Sequence, residues 1–468
     1  MEMRIESDSL GELSVPKDAY YGIQTERAIR NFQISNTKIS DYRELVRALG
    51  IIKLAAARAN YELGTLDKER FEPIEKACIR VMEGDFDDQF PVDMFQGGAG
   101  TSTNMNANEV VANVALEICG RQKGDYKYIS PNDHVNLSQS TNDAYPTALK
   151  ICLYSKSQIL VKHIQMLVDA FRAKGKEFAH VIKMGRTENQ DAVPMTLGQE
   201  FEAFAENLSE EITRINQMAA LFLEINMGAT AIGTGINAAK GYAELVTKKL
   251  SEICGEVFIK APNLIEATPD TGSYVIYSSA LKRLAVKLSK IASDLRLLSS
   301  GPRCGLHEIN LPPLQPGSSI MPGKVNPVAP ELMNQISFKV IGNDLTVTFA
   351  AEAGQLQLNA MEPVIIQSLL ESIIYLRNGM DMLREKCING ITANEEVCRN
   401  MVYNSIGVIT ALNPYIGYKN SAMIANEALK TGRGVYDLVL EHKLMDKEAL
   451  DKALDPQNML EPKEWKKL

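Results

Sequence analysis

Long stretches of this chain repeat apolar residues every three to four positions, and that period leaves few folds open to it. Ala148, Ile151, Leu160, Ile164, Leu167 and Phe171 keep helical spacing to about residue 178. Phe201, Phe204, Leu208, Ile212, Ile215, Met218 and Leu221 form a second stripe. Leu281, Leu284, Leu288, Ile291, Leu295 and Leu298 form a third, and another tract runs from about 330 to 387, interrupted by Gly342, Gly354 and Pro363. A shorter one begins near 41 with Leu45, Val46, Leu49, Ile52 and Leu54. Helices this long, each with one apolar face, predict an all-α protein whose helices pack at shallow angles in a bundle. No βαβ alternation, no strand–Gly-x-Gly-x-x-Gly–helix unit and no P-loop interrupts the pattern. After about 400 the character changes. A turn at Asn413-Pro414-Tyr415-Ile416-Gly417-Tyr418, short helical pieces and a charged tail suggest a small C-terminal domain.

With 468 residues the chain can bury a large core and form more than one domain. Its formal charge of −8 argues against a general nucleic-acid or anionic-membrane surface. An anionic small molecule would then need a local positive site. No apolar run is long enough to span a bilayer, and the start, Met1-Glu2-Met3-Arg4-Ile5-Glu6-Ser7-Asp8, lacks the apolar core of a signal peptide. The seven cysteines are scattered, with no Cys-x-x-Cys pair, as expected of reduced thiols in a cytoplasmic protein. The five histidines show no zinc spacing, so a metal mechanism has no support here.

Three polar blocks carry the chemistry. The first is Gly317-Ser318-Ser319-Ile320-Met321-Pro322-Gly323-Lys324-Val325-Asn326-Pro327. Pro322 and Pro327 forbid a helix through it, while glycine lets the backbone expose N–H groups beside two adjacent hydroxyls. Lys324 and Asn326, at alternate positions, can point the same way in extended chain. A surface turn accounts for the breakers alone. A mobile loop that closes over an anion accounts for the Ser-Ser, the Lys and the Asn as well. The second block, Phe95-Gln96-Gly97-Gly98-Ala99-Gly100-Thr101-Ser102-Thr103-Asn104-Met105-Asn106, places glycines and hydroxyls before a helical pattern, an arrangement that suits a capped helix start and an anion site equally. The third, residues 131–143, is nearly all polar and includes Ser140, Thr141 and Asn142; on its own it is equally a plain loop.

The first block matches the pattern Gly-Ser-x-x-Met-Pro-x-Lys-x-Asn, and through it the chain resembles the aspartase/fumarase superfamily over nearly its whole length. Tyr20-Tyr21-Gly22-Ile23-Gln24-Thr25-Glu26-Arg27 also matches a segment characteristic of that family. Gly97–Thr103, Gly342–Thr348 and Ala351–Asn359 resemble its ammonia-lyase branch more closely than its hydro-lyase branch. The resemblance implies three largely helical domains, taken here as 1–142, 143–396 and 397–468. The middle domains of four chains would join into one long central bundle, with each active site drawing on three chains of a homotetramer.

The resemblance also implies a reaction: reversible loss of ammonia from L-aspartate to give fumarate, through removal of a β-proton and an enediolate-type intermediate. Ser318 would be the base. Lys324 and Asn326 would bind the α-carboxylate, and Thr101, Ser140, Thr141 and Ser319 would surround the β-carboxylate. Asn142 and Thr187 would lie near the amine, and Met321 would belong to the substrate-binding loop. The partners would be a small dicarboxylate or unsaturated acid and ammonia or an amine, with no organic cofactor. A hydro-lyase of the fumarase type, or a helical scaffold without turnover, remain alternatives. One departure bears on substrate choice. After Gly185-Arg186-Thr187 the family carries His or Gln and then Leu, whereas this chain has Glu188 and Asn189. With Glu188 near the amine and close to Glu331, two carboxylates would face one small site and disfavour a dianion.

Overall fold

The computed structural model describes residues 2–460; the charged tail expected beyond 460 lies outside them. Helices dominate. In chain order they are α1 (Ile23–Asn31), α2 (Arg43–Glu62), α3 (Lys68–Glu83), α4 (Thr101–Ile118), α5 (Thr141–Glu177), α6 (Leu197–Ala219), α7 (Tyr242–Cys254), α8 (Leu264–Ala267), α9 (Gly272–Leu298), α10 (Val328–Glu352), α11 (Glu362–Lys386), α12 (Glu395–Asn404), α13 (Ile409–Thr431), α14 (Val435–Glu441), α15 (Lys447–Ala453) and α16 (Pro456–Met459). The β structure among the described residues is confined to two-stranded pieces, of which the longest are the antiparallel hairpins β1–β2 (Met3–Asp8 with Gly11–Pro16) and β3–β4 (Ile182–Thr187 with Gln190–Thr196).

Two compact units divide the chain. One comprises 1–161, 213–283 and 338–376, the other 162–212, 284–337 and 377–468. Every crossing point falls inside a long helix (α5, α6, α9, α10 or α11).

In the first unit α2 is buried almost throughout, because Leu45, Val46, Leu49, Ile52 and Leu54 are joined by the small or apolar Ala48, Gly50 and Ile51 and followed by Ala55, Ala56, Ala57 and Ala59. α4 is buried nearly all round, and polar residues are enclosed among its apolar ones: Asn104, Asn106, Asn108, Glu109 and Asn113. Two of the asparagine amides hold distant backbone. Asn106 Nδ2 donates to Gln89 O and Asn113 Nδ2 to Tyr20 O. Glu109 accepts the backbone N–H of Gly22, Gln24 and Thr25 and the Thr25 hydroxyl, so α1 is capped from α4 rather than by its own sequence.

In the second unit the predicted stripes meet as core. Phe171 of α5 packs on Phe201 and Phe204 of α6 at ring-centroid distances of 6.0 and 5.8 Å. Leu284, Leu288, Ile291 and Leu295 of α9 are buried. At the far end of the second stripe, in the first unit, the pattern fails, since Leu221 lies beyond the end of α6 and is exposed. The turn expected at 413–418 is a break at one residue inside α13, where Gly417 has φ 77° and ψ 154°. Pro363 does not interrupt a helix but sits in the first turn of α11, where its missing N–H costs nothing.

Candidate active site

The second block builds the start of α4. Gly98, Ala99 and Gly100 all have positive φ, and Gly100 is required, because a Cβ there would stand 2.3 Å from the Tyr145 ring. Thr101 follows as the first helical residue, exposed, with its hydroxyl donating to Gly98 O at 2.7 Å. It lines a cavity of about 610 Å³ together with Arg27, Asn132 and Asp133.

The third block is not a plain loop. A short helical turn over Pro131–Val135 leads to Ser140, which caps the 37-residue α5. Ser140 Oγ accepts the Asn142 N–H at 3.2 Å, and the Asp143 carboxylate accepts the Ser140 N–H at 2.9 Å, the reciprocal arrangement of a capping box. Asp143 Oδ2 also takes the N–H groups of Gly228 and Thr230, which fastens the loop after α6. Burial pushes the Asp143 carboxyl up to about 6, against the pull of those N–H bonds and of Lys53. Ser140 and Thr141 open onto a cavity of about 340 Å³ shared with Asn104, Asn136, Gln139 and Thr230. Asn142 instead donates its amide to Ala231 O at 2.8 Å and positions that loop.

Beneath this cavity lies a residue the sequence reading passed over. Lys53, in the middle of α2 and 1% exposed, donates to Asn104 Oδ1 at 2.7 Å, Gln139 Oε1 at 2.9 Å and Asn136 Oδ1 at 3.2 Å. Burial pulls its ammonium down to about 7, with the Asp143 carboxylate opposing. A single Lys within an apolar helical stripe gives no sign of this role in sequence; only the three amides converging on it do.

The second unit carries the first block. Residues 317–327 form an exposed loop closed at its neck. Gly317 N–H donates to Lys324 O at 2.7 Å, and Asn326 Nδ2 donates to Gly317 O at 2.9 Å. A Cβ on Gly317 would stand 2.6 Å from Lys324 O, so the neck closes only with glycine. Ser318 is half-buried, and its Oγ accepts the N–H groups of Ile320 at 3.2 Å and Met321 at 3.0 Å. Ser319, Met321 and Lys324 face solvent.

Thr187, Glu188 and Asn189 are at the tip of the β3–β4 hairpin, also in the second unit. Thr187 pairs with Gln190, leaving Glu188 and Asn189 as a two-residue turn with φ of 55° and 62°. Both central residues at positive φ is the turn that matches strand twist, and Asn tolerates that region well. Glu188 is exposed. From β3 of the hairpin, Arg186 and Lys183 reach the fully buried Glu308 at 2.6 Å and 2.9 Å.

The structure therefore groups the candidates by unit. Thr101, Ser140, Thr141 and Asn142 belong to the first, and Thr187, Glu188, Ser318, Ser319, Met321, Lys324 and Asn326 to the second. Residues 11–342 match the family model described as Lyase, and residues 408–461 match that of the fumarase C C-terminus. The chain belongs to the aspartase/fumarase family of lyases. Aspartate ammonia-lyase from Pseudomonas aeruginosa is 59% identical to it over 461 residues, covering 98% of this chain and 97% of the relative. The corresponding protein of Helicobacter pylori is 57% identical over 465 residues, covering 99% of each. Among solved structures, a fumarate lyase:delta crystallin from Brucella melitensis superimposes with a TM-score of 0.96 at 55% identity, over 98% of this chain and all of that one. A class II fumarase from Schistosoma mansoni gives 0.92 at 34% identity, over 98% and 99%. No helix among the described residues is long and apolar enough to cross a membrane.

Proposed function

We propose that the chain is an ammonia-lyase that converts L-aspartate reversibly to fumarate and ammonia. The observation that carries the lyase chemistry is the loop in which Ser318 Oγ already accepts two backbone N–H groups. A serine hydroxyl is a poor base, and donors aimed at its oxygen lower the cost of the alkoxide. Ser318 takes the β-proton. Charge then builds on the β-carboxylate as an enediolate, where the hydroxyls of Ser140, Thr141 and Ser319 donate and Thr101 lies alongside. Lys324 and Asn326 hold the α-carboxylate, Met321 lies in the same loop, and Asn142, Thr187 and Glu188 are nearest the amine. L-Aspartate is preferred as substrate because of the near-full-length likeness to aspartate ammonia-lyases.

The same proposal includes a homotetramer with active sites shared between three chains, and the domain division 1–142, 143–396 and 397–468. Its support is a stripe on α10, where Phe338, Ile341, Leu345 and Phe349 follow helical spacing with Phe338 and Phe349 63% and 65% exposed. An isolated soluble chain rarely leaves such a stripe in water. A cytoplasmic setting accords with seven cysteines that are all free thiols.

The test is to follow the ultraviolet absorbance of fumarate as it forms from L-aspartate, and as it disappears with ammonium present. No change in either direction refutes the lyase reading. Loss of fumarate that needs no ammonium assigns the chain to hydration instead.

A further inference from the structure

The hydrogen bonds around Lys53 have a direction, and that direction reaches the cavity. All three amides nearest Nζ turn their oxygens toward it: Asn104 at 2.7 Å, Gln139 at 2.9 Å and Asn136 at 3.2 Å. With its oxygen committed to Lys53, Asn104 has only its NH₂ left to offer on the other side. That group donates to Asn136 Oδ1 at 3.1 Å and to Thr141 Oγ1 at 3.3 Å. Thr141 Oγ1 is then an acceptor within the protein, and its own proton has no acceptor among the described residues. Thr141 lines the 340 Å³ cavity, so the proton is available there. Ser140 is arranged alike, since its Oγ accepts from Asn142 N.

We infer that Lys53 and Asn104 are positioning residues whose one-way chain, Lys53 to Asn104 to Thr141, holds the Thr141 hydroxyl as a donor to a carboxylate in the cavity. The inference rests on the reading of the chain as a lyase of a dicarboxylate. Without the chain the hydroxyl is free to turn and act as an acceptor, which a carboxylate repels. Lys53 touches no substrate. It acts by keeping an amide from flipping, and being buried it is screened little by salt.

Asn104→Asp tests the polarity. The new carboxylate pairs with Lys53, so the core gains an ion pair. It also accepts the Thr141 proton and turns that hydroxyl away from the cavity. The measurement is KM and kcat for L-aspartate in the wild-type protein, Asn104→Asp, Thr141→Val and the double variant, with thermal melting of each. Asn104→Leu, which adds no charge, keeps the test open if the aspartate variant does not fold. A lost hydrogen bond to a charged group corresponds to about 10- to 100-fold in KM. That rise is expected for Asn104→Asp with melting preserved, and the double variant should match Thr141→Val within about twofold, because both changes cut one chain. Thr141→Ser, which retains the hydroxyl, should restore KM. Additive effects in the double variant, or unchanged KM in a folded Asn104 variant, overturn the inference. Absence of turnover in the wild-type protein would instead refute the lyase reading itself.

Discussion

Ser318 and Lys53 show how much a single residue depends on what surrounds it. The Ser318 oxygen sits where two N–H groups converge, in a loop otherwise open to solvent. Ser318→Ala is expected to leave melting unchanged, because little packing is lost, and to lower kcat by roughly 10²–10⁴, the range for loss of a general base; stopped assays at saturating L-aspartate check this. Lys53 is read through pH. Its folded ammonium lies at about 7 against an ordinary 10.5, held down by burial, with the Asp143 carboxylate and the Cys78 thiol as its charged or titratable neighbours. For a base lowered on folding, the unfolded chain binds the proton more tightly. The contribution to stability is therefore complete above about 10.5 and is lost as pH falls through about 7. Relative to Lys53→Met, wild-type unfolding free energy should rise with pH between these limits, by at most about 1.4 kcal/mol per unit. Parallel denaturant titrations at several pH values give the slope, and a flat difference would contradict it.

At the scale of elements, the β3–β4 hairpin alters how the departure at 188–189 is understood. In sequence the two residues stand out as polar changes next to a binding segment. In the structure they are the two central positions of a tight turn, both with positive φ, a conformation that Asn adopts more readily than Leu. Asn189 thus has a backbone reason for being there, while Glu188 has none, since Glu is not favoured at positive φ. Glu188→Asn keeps the turn and removes one negative charge. Melting should hold or rise slightly, and kcat/KM for L-aspartate should increase by up to about fivefold, the scale of an exposed charge interaction. A decrease would mean that the carboxylate takes part in binding. The loop of residues 317–327 gives the opposite lesson. Its composition suggests an anion loop, but the neck formed by Gly317, Lys324 and Asn326 was not visible, because it depends on two hydrogen bonds across the loop.

For the whole molecule, the candidate residues fall in both compact units, and the proposed tetramer with shared sites would make each chain replaceable in part. Ser140→Ala and Ser318→Ala alter different blocks. Each alone should have little activity, and mixing the two under conditions of subunit exchange should return a fraction of wild-type turnover. Light scattering that shows a monomer, or mixing that restores nothing, would remove the shared-site proposal. Exposed Phe338 and Phe349 on α10 mark the face on which that association would depend.

The period of the apolar residues was enough to establish an all-α protein, because a 3.6-residue repeat sustained over several turns fits no other element. Phe171, Phe201, Phe204, Leu284 and Leu288 are core for that reason. Ser318, Lys324 and Asn326 stand close together in one loop and read as a candidate anion site, whereas Ser140, Thr141 and Asn142 were singled out only by the family resemblance, since their block reads equally as a plain loop. Lys53, Asn104 and Glu109 were not legible as a set. Lys53 sits in an apolar stripe, Asn104 in a block that reads as a helix start and Glu109 within the helix that follows, and their partners are 32 to 87 residues away. Tertiary structure alone decided them, since a buried polar group becomes tolerable only when distant chain returns to satisfy it.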